Sequence, residues 1–172
     1  ELISASPVAV TLIAVTPEVT VGQTAVLTAA VFDGPTAVQG ANVAVTIISP
    51  TGLVSTLTLF DEGELPKGDH LSRDGLYSGV FVPSQLFVTS ETGDYTVHAS
   101  ITGYRSGNPD PIFFQRDAGT SVRVVSPCAA LTGFIADYGQ DDNGNGRYEW
   151  LVIEAEAGVN SASTFILQAI LK

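Results

Sequence analysis

The sequence predicts an all-β chain, a two-sheet antiparallel sandwich followed by a partial second β unit, and three observations carry this. Short runs of Val, Ala, Ile, Leu and Thr recur at intervals of roughly 8–12 residues, the spacing of sandwich strands. Seventeen Gly and nine Pro among 172 residues separate those runs, as expected of residues that fix turns. Several runs alternate apolar and polar residues, which puts one face of a pleated strand inward.

The first strand is expected at 8–15, ended by Pro17. The apolar residues at the start of the chain have no basic segment before them and no small-residue cleavage site after them, so they read as strand and not as signal peptide. The next is 24–32, with Ala25, Leu27, Ala29 and Val31 as the inward set. Runs 42–48 and 53–60 follow, broken by Ser49-Pro50-Thr51-Gly52. Leu76 to Val82 is another, and 94–101 alternates so that Tyr95, Val97, Ala99 and Ile101 share the core face. Gly93-Asp94-Tyr95 reads either as a tyrosine corner, in which the hydroxyl bonds back to backbone at a sheet corner, or as an ordinary core tyrosine. After a polar, irregular stretch from Gly103 to Gly119, Thr120 to Val125 close the sandwich.

This series is that of an immunoglobulin- or fibronectin-III-like sandwich over residues 1–126, with Leu27, Val31, Val45, Ile47, Leu57, Tyr95, Val97 and Ile101 in its core. Residues 127–172 form the second unit. Strands are expected there at Leu131–Ile135, Trp150–Ala157 and Thr164–Leu171, with Trp150 as the first large core residue. Three strands do not readily enclose a core.

Composition narrows the function classes. The hydrophobic fraction of 45% against 15% charged is too apolar for a disordered chain. A net charge of −11 repels phosphate backbones and anionic lipid, which argues against nucleic acid as a partner. No apolar run approaches the roughly 18 residues of a membrane span, so membrane insertion is not expected. Abundant Gly and Pro, little Lys and one Cys suit an extracellular bacterial β-protein. Cys128 alone makes no internal disulfide. With no Met and a strand-like run at its end, the chain reads as a piece of a longer protein.

Two acidic clusters stand out. In the first, Asp61, Asp69 and Asp74 are interleaved with glycines between two strands. Calcium takes about six to eight oxygen ligands, and glycines let backbone carbonyls turn toward it. The same string also reads as a solvated loop whose Asp-Gly pairs only make turns. The text LFDEG…GDHLSRDGLYSG resembles the "DDG…GD…DGxYS" signature of an immunoglobulin-like module found next to von Willebrand factor A domains in bacterial surface proteins. It is similar, too, to the β-sandwich module of the calcium-activated chloride channel regulator family. The likeness spans roughly Pro17 to Val125, and departs from the signature at Glu62 and at Pro66-Lys67. It implies an accessory β-sandwich without an active site of its own.

The second cluster runs Asp141-Asp142-Asn143-Gly144-Asn145-Gly146-Arg147-Tyr148-Glu149. From Asp141 it gives D-x-N-x-N-G-x-x-E, with oxygen side chains at alternate positions before a glycine, as in calcium loops of the EF-hand type. Asp141, Asn143, Asn145 and Glu149 are the expected side-chain ligands, Arg147 a carbonyl donor, and Asp137 an outlying one. An Asn-Gly turn that happens to be acidic is the other reading. Val152 stands where an EF-hand requires its bidentate Glu, so the likeness stops at the ligand ladder.

Catalytic constellations are not found. His70 and His98 are too far apart for a zinc motif, no G-x-S-x-G elbow occurs, and Cys128 has no neighbouring base. The expectation is therefore a non-catalytic, calcium-binding structural or adhesive module of a secreted or cell-surface protein, with neighbouring domains of the same chain as partners. The alternatives are a module that binds an extracellular protein or glycan, for which Tyr104, Phe113 and Phe114 are the candidate aromatic platform, and an accessory domain of a secreted enzyme.

Overall fold

The computed structural model describes residues 7–86, 91–107, 109–160, 162, 164 and 166. The chain divides into two compact units, Glu1–Val125 and Ser126–Lys172. In the first, strands β1 (Val8–Ala14), β3 (Ala25–Asp33), β4 (Thr36–Ala37) and β7 (Leu76–Phe81) make one sheet, with β1 and β7 on opposite sides of β3. The other sheet has the order β2 (Glu18–Thr20), β9 (Ile112–Val125), β8 (Gly93–Arg105), β5 (Asn42–Ile48) and β6 (Val54–Leu59). All pairings are antiparallel except β2 with β9, which run parallel.

The two sheets close on each other through the alternate residues of each strand. Ala25, Leu27, Ala29 and Val31 of β3 face Val43, Val45 and Ile47 of β5 and Tyr95, Val97, Ala99 and Ile101 of β8, all buried. Full burial of one such Ile or Leu contributes about 1.5–3 kcal/mol. The expected core is therefore seen, with one correction. Leu57 is only half-buried, because β6 is an edge strand and its side chain reaches the core margin beside Gly79. The Tyr95 hydroxyl donates to the Glu91 carbonyl at 2.9 Å, four residues upstream, which is the bond of a tyrosine corner.

A second correction concerns residues 103–119. They are not irregular: β8 runs on to Arg105, β9 begins at Ile112, and the two pair in register from Gly93↔Val124 to Arg105↔Ile112. Polar residues fill this stretch because most of β9 between Gln115 and Ser121 is at least partly exposed. Phe114 points inward and is buried against Gly103, so it belongs to the core and not to an exposed platform. Three further elements carry too few residues to show a period: β2, β4 and the short 3₁₀ helix Leu65–Lys67.

The second unit is a hairpin of β10 (Ala129–Gln140) and β11 (Trp150–Val159), with a register shift between Leu131 and Ile135. Leu151, Ile153, Ala155, Ala157 and Val159 lie on one face, and Glu154 and Glu156 on the other with Tyr138 and Thr132. Trp150 corrects the expectation of a core residue: it is exposed, and its indole N–H donates to Asp142 Oδ2 at 3.0 Å. The expected strand Thr164–Leu171 lies for the most part outside the described residues. Among the described residues no helix is long and apolar enough to cross a membrane.

Candidate metal centre

The segment between β6 and β7 carries Asp61, Asp69 and Asp74. The chain leaves β6 at Leu59, and Phe60 pairs with Ser78 by two backbone hydrogen bonds of 3.0 and 2.8 Å, which anchors both ends of the loop. The loop then lies over the outer face of the β1-β3-β7 sheet, where Gly68 rests against Val26. Under it the Thr28 and Ser78 hydroxyls satisfy each other at 2.9 Å. This packing buries Asp69, which is 3% exposed despite its charge.

A buried carboxylate requires partners, and here they are backbone amides. Gly63 N–H donates to Asp69 Oδ2 at 2.7 Å and Leu71 N–H to Oδ1 at 3.2 Å. Asp74 and Gly75 N–H donate to Asp61 Oδ1 and Oδ2 at 3.2 and 3.0 Å, and Leu76 N–H donates to Asp74 Oδ1 at 2.9 Å. Arg73 holds a left-handed φ of 64°, unusual for a side-chain-bearing residue, and its N–H points to the Asp61 carbonyl at 3.4 Å.

The result is that one oxygen from each of the three aspartates lies within 4.8 Å of the others. Two oxygens that both touch a calcium ion at about 2.4 Å are at most about 4.8 Å apart, so each pair within the triad meets the separation that a shared ion requires. Each carboxylate oxygen can accept about two hydrogen bonds or ligand contacts, so the amides leave capacity for an ion. The loop's lysine is engaged elsewhere. Lys67 pairs with Glu64 at 2.8 Å and Glu62 at 3.9 Å, sits 5.1 Å from the Phe60 ring centroid, and has its pKa raised mainly by the hydrogen bond to Glu64.

The loop between β10 and β11 is organised differently. Asp141 Oδ1 accepts from the N–H groups of Asn143, Gly144 and Asn145 at 3.3, 2.7 and 3.2 Å, and Oδ2 from Gly146 at 2.7 Å. Asn143 Oδ1 accepts from Asn145 N–H, and Asn145 Oδ1 from Arg147 N–H. Glu149 closes the ring, accepting from Asn143 Nδ2 at 2.7 Å and Asp142 N–H at 2.9 Å. Asp141, Asn143, Asn145 and Glu149 thus share one network, which Arg147 joins through its amide. Asp137 sits on β10 opposite Ile153, away from the loop network. Asp142, outside the expected ligand set, orients the loop through Trp150 and through Gln140 Nε2 at 2.7 Å.

These amides, Gly146 first, hold the Asp141 carboxyl below its usual range. A depressed folded-state value means the loop's stabilisation is fully present above the ordinary aspartate range and is lost as pH falls through the lower folded value. In a pH titration followed by NMR, the Gly144 and Gly146 amide resonances are expected to shift together at a midpoint below that of an exposed aspartate. A midpoint at the ordinary value contradicts the network.

Fold and site together define a two-sheet β-sandwich with an aspartate triad held by backbone amides on its outer face. No protein-family model matches the chain, and no curated protein does. Among solved structures, a DUF4785 family protein from Legionella pneumophila subsp. pneumophila str. Philadelphia 1 is similar, at 12% identity and a TM-score of 0.47. The match covers 74% of this chain and 31% of that one, so the chain spans about a third of that protein's length.

Proposed function

We propose that this chain is a non-catalytic, calcium-binding module of a larger secreted or cell-surface protein, in which the ion stiffens an acidic loop and so steadies neighbouring domains. The observation that carries the reading is the convergence of Asp61, Asp69 and Asp74 within 4.8 Å. Three carboxylates this close repel one another, and a divalent cation turns that repulsion into attraction. An ion that binds only the folded form stabilises it by about 2.7 kcal/mol at a hundred times its dissociation constant. The resemblance of the LFDEG…DGLYSG string to sandwich modules of surface proteins supports the same reading.

Calorimetric titration with millimolar calcium is expected to show binding to the folded protein, together with a rise in melting temperature that a chelator reverses. Asp74→Ala removes a partly exposed ligand with a single local hydrogen bond, so it is expected to leave the fold intact and abolish most of that rise. Asp141→Ala reports on the second loop separately, where two Asn ligands carry less charge and a weaker site is expected. Absence of heat and of any thermal shift in the parent protein rules the reading out.

A further inference from the structure

A second surface feature of the first unit borders the aspartate loop, since Gln39 Nε2 donates to the Arg73 carbonyl at 3.3 Å, but shares none of the three aspartates. At the end of the long β8–β9 hairpin, Tyr104 and Phe113 sit directly opposite each other in the ladder. Both are exposed, at 65% and 55%, and their rings meet edge to face with centroids 5.6 Å apart. Such a contact fixes the tyrosine ring without hiding it.

Tyr104 also forms one wall of a cleft of about 390 Å³ whose remaining walls come from the β3–β4 turn and the end of β8, among them Asp33, Thr36, Gln39, Arg105 and Ser106. That volume is within the usual range for small-ligand sites, about 300–1,000 Å³. Asp33 and Arg105 face each other at 3.8 Å, too long for a hydrogen bond, with side chains 20% and 22% exposed. The buried Arg105 Nε has no hydrogen-bond partner among the described residues. Nε itself is closed off from solvent, but the pair as a whole is near neutral, and the parts of the two side chains that stay exposed, whose Nη1 and Oδ2 are too far apart to satisfy each other, lie next to an exposed ring.

We propose that this cleft binds a sugar unit of a neutral glycan, with the Tyr104 ring against the apolar face of the pyranose and Asp33, Arg105, Gln39 and Ser106 exchanging hydrogen bonds with its hydroxyls. Adjacent acceptor and donor side chains match vicinal hydroxyls, each of which both donates and accepts. An anionic ligand fits less well, because Asp33 stands beside the one guanidinium among the cleft's described residues and the chain carries a net charge of −11. This goes beyond metal binding and does not depend on it, so the two readings fail separately.

The test is saturation-transfer NMR and amide-shift mapping on the full chain, in chelator and again in calcium. The probes are neutral oligosaccharides of glucose, galactose, mannose, xylose and N-acetylglucosamine, with an oligogalacturonate as the charged counterpart. At least one neutral oligosaccharide is expected to bind, with shifts at Tyr104–Ser106, Asp33 and Phe113, in both conditions. Tyr104→Ala, a surface change that leaves the melting temperature near that of the parent, is expected to weaken binding about tenfold or more. Asp33→Asn, which keeps the side-chain volume, is expected to weaken it as well. Absence of binding by every neutral probe, preference for the oligogalacturonate, shifts that map elsewhere, or an unchanged affinity in Tyr104→Ala each overturns the proposal.

Discussion

Asp69→Ala is expected to destabilise the first unit by about 2–4 kcal/mol in chelator, before any metal is considered, because it leaves two amides in a closed loop without an acceptor. Those amides belong to Gly63 and Leu71, and the carboxylate joining them is 3% exposed, so water does not readily replace it. The variant is expected in addition to lose the calcium-dependent gain that the parent shows. Urea denaturation of both proteins, in chelator and in calcium, separates the effects. The parent shifts between conditions, Asp74→Ala loses only the shift, and Asp69→Ala loses the shift and the baseline. A chelator-state stability of Asp69→Ala equal to that of the parent shows that the loop is not fastened through this residue.

Gly75→Ala is expected to cost a similar amount, about 2–5 kcal/mol, for a reason of shape. Gly75 has φ 84°, and an added Cβ meets the Val31 carbonyl and Ala37 Cβ at 3.0 Å and Ala37 Cα at 3.2 Å. The left-handed conformation costs a side-chain-bearing residue about 1–2 kcal/mol, and overpacking against backbone adds about 1–3. The same residue donates to Asp61 Oδ2 at 3.0 Å and accepts from Val31 N–H at 2.9 Å. A backbone shift here moves a ligand of the triad, so weaker calcium binding is expected alongside the loss of stability. Chemical denaturation and calorimetry on the one variant check both. An alanine tolerated within about 0.5 kcal/mol is at odds with the close approach of β4 to this turn.

The strands were legible wherever one face meets the core and the other meets water, as in Tyr95 to Ile101, where burial alternates residue by residue. Legibility failed from Gly103 to Gly119 because the inward positions of β9 carry Arg116 and Ala118, which are only half-buried, so the apolar contrast that alternation depends on is lost, although Phe114 at the inward position was the available signal. It failed also for β2 and β4, which are three and two residues long. Asp61, Asp69 and Asp74 could be named from their glycine-rich setting, but not the burial of Asp69, which follows from the loop lying across β3. In the Asp141 loop the alternating oxygens were readable. Their engagement by the loop's own amides was not, since it depends on backbone turns at Gly144 and Gly146 that spacing alone does not specify.

The parallel pairing of β2 with β9 has a consequence for the first unit under tension. Arg123 N–H donates to the Pro17 carbonyl at 2.8 Å and Val21 N–H to the Val125 carbonyl at 2.9 Å, bracketing the ladder Glu18↔Arg123 to Thr20↔Val125. Because the two strands point the same way, a pull on the chain before β2 and after β9 drags them past each other along their length. The bonds then bear the load together, in shear, instead of opening one after another as in an antiparallel pair pulled apart from one end. A pull from the N-terminal side first meets β1, paired antiparallel with β3 from Val8↔Asp33 to Ala14↔Leu27. Once β1 has peeled away, the short β2 strand, which contributes a single buried side chain, Val19, to the core, is the clasp expected to resist further extension.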